Sequence, residues 1–524
     1  MFDACIVGSG PGGVSAALGL RGRRVCMLDA GLLPPPRPNL ESNVFDLRQS
    51  TPDLTSDLLG DDLSGLAHIF RTPVSLKLNS PGTSFILELA DRITPVVSDS
   101  FHAAISLAQG GLANGWGAGV YRFHQRDLGA LPVTTAQLAP FYDAISAHMG
   151  VCGAEDDLLS DFGAEPQMQP PVRLSANMAR LYARYQSRRA FFHRHHARIG
   201  RARLAVLTQP HNGRAPYAYR NLEFFQAHDP AIYNPAFTLR GLIRNREIAY
   251  EPNWIVTRYE DLEAGVRIHA VSLDQQRSQV FEARKLLLAA GAINSARIAL
   301  ASNYDFGTRL PICDNSLAVF PLLDLRAIGA PLGTHDAGLA QLNVVLDDGP
   351  RTFQGSIYGS TGALRSDLLP NFPLPLRSSL AFARACAPAL SLLMLFYPET
   401  PRATNYLRLR PDGSGTLDAA YQWSPDAVLE RRLCGLWRKL GVVCLPSLIQ
   451  HPAPGGGIHY AGTLPMASSP HGAYQTHPDG RLNLTRHVYL CDGSIFPELP
   501  AKNLTYTLMA LALRTATRLN EGLA

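Results

Sequence analysis

Gly8-Ser9-Gly10-Pro11-Gly12-Gly13, set directly behind the apolar run Ala4-Cys5-Ile6-Val7, decides the fold of this 524-residue chain. The run reads as a buried strand, and Val14-Ser15-Ala16-Ala17-Leu18 reads as the start of a small-residue helix. Gly8, Gly10 and Gly13 supply G-x-G-x-x-G. The first glycine permits a tight turn, and the second lets the backbone approach a pyrophosphate. The third lets the helix pack close to the strand, with its N-terminal amides facing the phosphates. A second strand, Arg24-Val25-Cys26-Met27-Leu28, ends at Asp29, where a carboxylate can hold ribose hydroxyls. Strand, glycines, helix and acid follow in order within about 30 residues, so the chain is expected to bind a dinucleotide.

The length exceeds one ordinary core, so two or more domains are expected. Apolar residues at 46% and charged residues at 17% fit a packed globular enzyme rather than a disordered or fibrous protein. A net charge of +5 is small for this length, and no nucleic-acid recognition motif accompanies it. The cysteines at 5, 26, 152, 313, 386, 434, 444 and 491 form no C-x-x-C pair. That scatter fits a reducing compartment and speaks against a disulfide scaffold or a zinc site, so no metal is expected. With the first strand starting almost at Met1, the cytoplasm is the expected location.

Three further blocks extend the pattern. Gln109-Gly110-Gly111-Leu112-Ala113-Asn114-Gly115-Trp116-Gly117-Ala118-Gly119 is a glycine-rich loop whose backbone can lie against a flat group. Leu286-Leu287-Leu288-Ala289-Ala290-Gly291-Ala292 reads as a buried strand, a tight turn and a helix start. A small antiparallel meander through Ile255-Val256-Thr257-Arg258 and Val266–Val271 feeds that strand. Near the C-terminus come Gly455-Gly456-Gly457-Ile458-His459-Tyr460-Ala461-Gly462-Thr463, then Asp492-Gly493-Ser494, then an apolar helix opened by Asn503-Leu504-Thr505. Asn503 is a reasonable N-cap for that helix.

Together these blocks resemble the glucose–methanol–choline (GMC) oxidoreductases, and their surroundings are similar to the pyranose oxidase and gluconate-type dehydrogenase branch. The resemblance implies an α/β fold: a Rossmann-like FAD-binding domain beside a sheet-plus-helices substrate domain. The first would be assembled from residues 1–37, 100–125, 245–310 and 455–524. Residues 38–99, 126–244 and 311–454 would form the second, with connecting and cap segments. FAD is the implied cofactor. Gly8, Gly10 and Gly13 would touch its pyrophosphate and Asp29 its ribose, with Val256, Ala290 and Gly291 also in the cofactor site. Gly111, Asn114, Gly115 and Trp116 would lie along the flavin. Asp492 and Gly493 would hold the pyrophosphate or ribityl end. The helix behind Asn503, Leu504 and Thr505 would point its positive end at the flavin pyrimidine.

The implied catalytic pair is His459 and Asn503. A neutral imidazole accepts the substrate hydroxyl proton, and the asparagine fixes the alkoxide oxygen while hydride leaves the carbinol carbon. Two departures stand out. Ala467 follows Met466 where the family motif has glycine, and Gly115 stands where pyranose-oxidase-type proteins carry a flavin-linking histidine beside the tryptophan. Non-covalent FAD is therefore expected. The implied activity is oxidation of an alcohol CH–OH group, with a sugar or polyol as the first substrate class and a bulky lipophilic or carrier-linked alcohol as the second. Oxidase and dehydrogenase stay open, as does the electron acceptor. The rival classes are a flavin enzyme without net alcohol oxidation (isomerase, lyase or photodecarboxylase) and a non-catalytic flavin-binding protein.

Two segments fall outside this scheme. Residues 171–206 hold nine arginines and three histidines with no Asp or Glu. A solvated helix face carrying Arg180, Arg184 and Arg188 is the first reading, and a contact for an anionic substrate or acidic membrane the second. Residues 372–397 are apolar but interrupted by Arg377, Arg384 and Pro388, so a transmembrane helix is rejected. Core packing is expected for them, with an apolar cap or interfacial anchor as the alternative.

Overall fold

A computed structural model describes residues 1–36, 42, 44–61, 78, 80–223, 225–331, 333, 336–360 and 374–523. Arg37 and Pro38 of the proline-rich stretch, and Phe372 and Pro373 of the apolar segment, lie outside the described residues.

The first sheet is built around Phe2–Val7. That strand pairs in parallel with Val25–Leu28 on one side and with Ser278–Leu288 on the other. Ala249–Glu251 extends the sheet beyond Val25–Leu28, and Val488–Leu490 pairs in parallel with Leu286–Leu288. The expected meander is present as Trp254–Leu262 and Gly265–Ser272, antiparallel to each other and joined to Ser278–Leu288. Strands from both chain ends and the middle thus share one sheet, because each is an apolar run that needs neighbours on both edges. Gly13 sits under this sheet at the closest helix–strand approach: an added Cβ would lie 1.9 Å from the Gly8 carbonyl oxygen.

The second sheet is antiparallel, in the order Val442–Val443, Leu317–Asp324, Leu390–Phe396, Arg351–Gly359, Ala340–Asp348, Ala197–Arg201. One face is covered by helices. Met178, Leu181 and Tyr185 of Ala176–Ser187, with Leu433 and Trp437 of Ala427–Lys439, pack on Phe320, Leu322, Leu393 and Leu395. The apolar residues of 390–396 therefore form a central strand, while Leu374, Leu380 and Phe382 at the preceding helix are exposed. Among the described residues no helix is long and apolar enough to cross a membrane.

The arginine-rich segment is not one free basic stripe. Arg184 pairs with Asp324 at 2.6 Å, Arg189 pairs with Asp157, and Arg198 reaches Asp161 and Asp347, each at 2.7 Å. Arg203 is buried and donates to the Phe162 carbonyl at 2.9 Å. The neutralising acids lie outside 171–206 in sequence, so composition along the chain could not reveal them.

Candidate active site

The two sheets and the glycine-rich loop enclose a cavity of about 650 Å³. That volume falls within the range of cofactor and ligand sites. Its lining includes Gly8, Gly10, Asp29, Val256, Ala290 and Gly291. Gly111, Gly115, Trp116, Asp492 and Gly493 line it as well, as do His459, Asn503, Leu504 and Thr505. Residues separated by up to 497 positions meet here because the parallel strands all deliver their C-terminal ends to one edge.

Ser9 ties the dinucleotide loop to its surroundings. Its hydroxyl donates to Asp29 Oδ2 at 2.5 Å and accepts from the Gly110 amide at 3.0 Å. Tyr250 donates to the same carboxylate at 2.9 Å. Burial pushes Asp29 up to about 6, the two hydroxyls opposing that shift. Ser9 and Tyr250 escaped the sequence reading: Ser9 fills a variable position of the glycine motif, and Tyr250 is brought alongside by the parallel pairing of Ala249–Glu251 with Val25–Leu28.

Asn114 and Gly13 depart from their expected places, for neither lines the cavity. Asn114 instead scaffolds the glycine loop. Its amide donates to the Gln109 and Gly111 carbonyls at 3.0 and 2.7 Å, and its Oδ1 accepts from Asn234 at 2.8 Å. A side chain already engaged on its own loop has no atom left for a flat ligand. Gly13 supplies helix packing, as its closeness to Gly8 requires. Trp116 lines the cavity while its indole N–H donates to the Tyr233 carbonyl at 2.9 Å.

At the C-terminal helix the boundary shifts. The helix runs Thr505–Gly522, with Leu504 rather than Asn503 at the cap position and no side-chain capping bond. Asn503 is thereby free to present its amide to the cavity, and its buried Oδ1 has no partner among the described residues. An added Cβ at Gly119 would sit 3.0 Å from Asn503 Nδ2 and 2.9 Å from the Tyr121 hydroxyl, so glycine there lets both groups close in.

His459 lines the same cavity as Asn503, with its ring 5.1 Å from that of Phe396. Burial pushes its imidazole down to about 4, which keeps it neutral, and its Nδ1 has no partner among the described residues. The loop carrying it is anchored by Asp314, a residue the sequence reading missed. This buried carboxylate accepts from the Gly455 amide at 2.8 Å and the His459 amide at 3.2 Å. Burial raises Asp314 to about 6, opposed by those amides. Its one sequence signal is an acid among the apolar residues Leu310–Cys313. Asp492 holds a second junction, accepting from the Gly291 amide at 3.0 Å and from the Ser295 hydroxyl. The departure at Ala467 touches none of this. Its amide bonds the Thr476 carbonyl at 2.9 Å, and the residue does not line the cavity.

These features suit FAD at three points. No atom lies within 4 Å of a Cβ added at Gly10 or Gly291, so bare backbone meets the cavity there. The helices Pro11–Gly19 and Thr505–Gly522 both begin at the cavity, and their first amides lack intrahelical partners. His459 Nδ1 and Asn503 Oδ1, both on residues of the lining, are buried and have no partner among the described residues.

Residues 448–512, which carry the His459 loop, Asp492 and the opening of the last helix, match the family profile described as GMC oxidoreductase. Among curated proteins the chain is 27% identical to paromamine 6'-oxidase of Streptomyces fradiae over 429 residues, covering 74% of this chain and 71% of that one. The fold is shared with the crystal structure of pyridoxine 4-oxidase from Mesorbium loti. The TM-score is 0.61, at 16% identity and 98% coverage of both chains.

Proposed function

We propose that this protein oxidises the CH–OH group of a small-molecule alcohol to a carbonyl, with His459 as the base and Asn503 as its partner. The observation that carries this reading is the pair of unpaired polar atoms, His459 Nδ1 and Asn503 Oδ1, buried in one cavity with the dinucleotide loop. A neutral imidazole takes the hydroxyl proton, and the Asn503 amide holds the substrate oxygen as negative charge develops on it. Bound FAD supplies the acceptor for the hydride that leaves the carbinol carbon. Gly8, Gly10 and Asp29 hold the adenosine and pyrophosphate end, and the first amides of Thr505–Gly522 favour negative charge at the other.

The cofactor is held non-covalently in this proposal. Gly115, beside Trp116, carries no side chain that could form a link, and a Cβ added there would meet Leu78 Cδ2 at 2.5 Å. An anionic substrate draws no support from the arginine segment, whose Arg184, Arg189 and Arg198 are paired with acids. A cytoplasmic location is supported by eight free, buried thiols. The pair itself selects neither a sugar nor a lipophilic alcohol, because it touches only the carbinol.

His459→Ala tests the proposal. The variant is expected to bind FAD normally and to be bleached by alcohol under anaerobic conditions roughly 10²–10⁴-fold more slowly. Unchanged bleaching would refute the assignment. The presence of both His459 and Asn503 speaks against an isomerase, a lyase, a photodecarboxylase or a flavin carrier.

A further inference from the structure

The second sheet covers only one of its faces with helices. On its other face Leu317 and Val319 of one strand, and Leu392, Met394 and Phe396 of the next, alternate at period two and line the cavity. Phe396 continues this wall to the ring of His459 at 5.1 Å. No residue that the sheet presents to the cavity is charged.

The charged side chains of the cavity belong elsewhere and are already engaged. Asp29 and Asp492 serve the two loop junctions described above. Arg258 pairs with Glu260 and Arg410 with Asp418, each at 2.7 Å, and Arg297 donates to the Thr94 carbonyl at 2.9 Å. Ser356 and Tyr358, opposite Met394 and Leu392 on the adjacent strand, also line the cavity; the Tyr121 hydroxyl donates to Asn343 Oδ1 at 3.2 Å, and the Ser356 oxygen accepts from Asn343 at 3.1 Å.

We infer that this wall is the subsite for the non-reacting body of the alcohol, and that the body is apolar and uncharged. This rests on the alcohol oxidation proposed above. A sugar or polyol lying against Leu317, Val319, Leu392 and Met394 would lose its water there and, among the sheet residues that line the cavity, meet hydroxyls only at Ser356 and Tyr358, too few for its remaining hydroxyls. An ammonium group would find no carboxylate on the wall. An aromatic ring or hydrocarbon chain meets neither cost, and it buries against Phe396 and the methionine sulfur. Of the two substrate classes the sequence suggests, the wall favours the lipophilic one.

The test mixes FAD-loaded full-length protein anaerobically with benzyl alcohol, 1-octanol, glucose, sorbitol and glucosamine, following flavin bleaching. The apolar alcohols are expected to reduce the flavin roughly a hundredfold faster per unit concentration than the polar ones. Met394→Asp is expected to cut that rate at least about tenfold while FAD absorbance is retained. If that variant fails to fold, Leu392→Ala is expected to raise KM for benzyl alcohol about tenfold with kcat little changed. Faster bleaching by glucose, sorbitol or glucosamine overturns the inference and leaves the catalytic reading intact. If no alcohol bleaches the flavin, the catalytic reading falls, and ligand perturbation of the flavin absorbance decides the wall. A shift with benzamide but not with glucose supports it. The reverse, or no shift with either, overturns it.

Discussion

Gly10 and Gly13 stand three residues apart in one motif, yet adding the same methyl group to each should do opposite things. At Gly13 the new Cβ would lie 1.9 Å from the Gly8 carbonyl oxygen, and ordinary contact begins near 3.4 Å. The helix must retreat by about 1.5 Å from a backbone atom that cannot rotate away. Overpacking of this kind costs about 1–3 kcal/mol, which in a chain this large lowers Tm by roughly 1–3 °C. At Gly10 the backbone is extended, with φ −65° and ψ −175°, and no atom lies within 4 Å of the added methyl. Gly10→Ala should therefore leave the apoprotein's Tm within the scatter of a surface change, about 0.5 kcal/mol. Its methyl enters the space proposed for the pyrophosphate, so FAD affinity should fall at least tenfold, about 1.4 kcal/mol. Thermal unfolding of both apoproteins, with FAD titration by fluorescence quenching, separates the effects. Full FAD affinity in Gly10→Ala would refute the placement of the pyrophosphate against this loop. An unchanged Tm in Gly13→Ala would refute the close helix–strand contact.

Two pH effects follow from the buried groups. The folded chain holds His459 down at about 4, whereas the unfolded chain binds that proton below about 6.5. The unfolded state is therefore favoured progressively as pH falls from 6.5 to 4, and His459→Gln should flatten that part of the apoprotein's stability curve in urea titrations. Asp314 is raised to about 6, so its negative charge, and the hold on the Gly455 and His459 amides, weakens as pH falls through that value. Flavin reduction in the unmodified enzyme should decline there. Asp314→Asn should be about tenfold slower at pH 8, with a flat profile near 6 and unchanged FAD affinity. A wild-type-like rate and profile in that variant would exclude Asp314 as the residue that positions His459.

Much of the cofactor end was legible in the chain itself. The order of strand, glycines, helix and acid is local, and backbone geometry makes glycine at 8, 10 and 13 nearly obligatory, so a short window carries the signal. His459 and Asn503 came from the family resemblance of their short motifs, and the structure places both in the lining of one cavity. The tertiary structure alone decided the remainder. Asn114 looked like a cofactor contact until its amide was found engaged on its own loop. The arginines of 171–206 looked like a basic surface until acids distant in sequence were folded against them. Asp314 and Tyr250 belong to no motif and Ser9 fills a variable position of one, since their roles depend on amides and hydroxyls that only the folded chain brings within reach. The apolar wall is the clearest case. Period-two alternation shows that Leu317–Asp324 and Leu390–Phe396 have two apolar faces, but which face meets helices and which meets a cavity is set by the packing of one layer on another. Local motifs bind what any dinucleotide shares, whereas the face left without helices decides what else can enter.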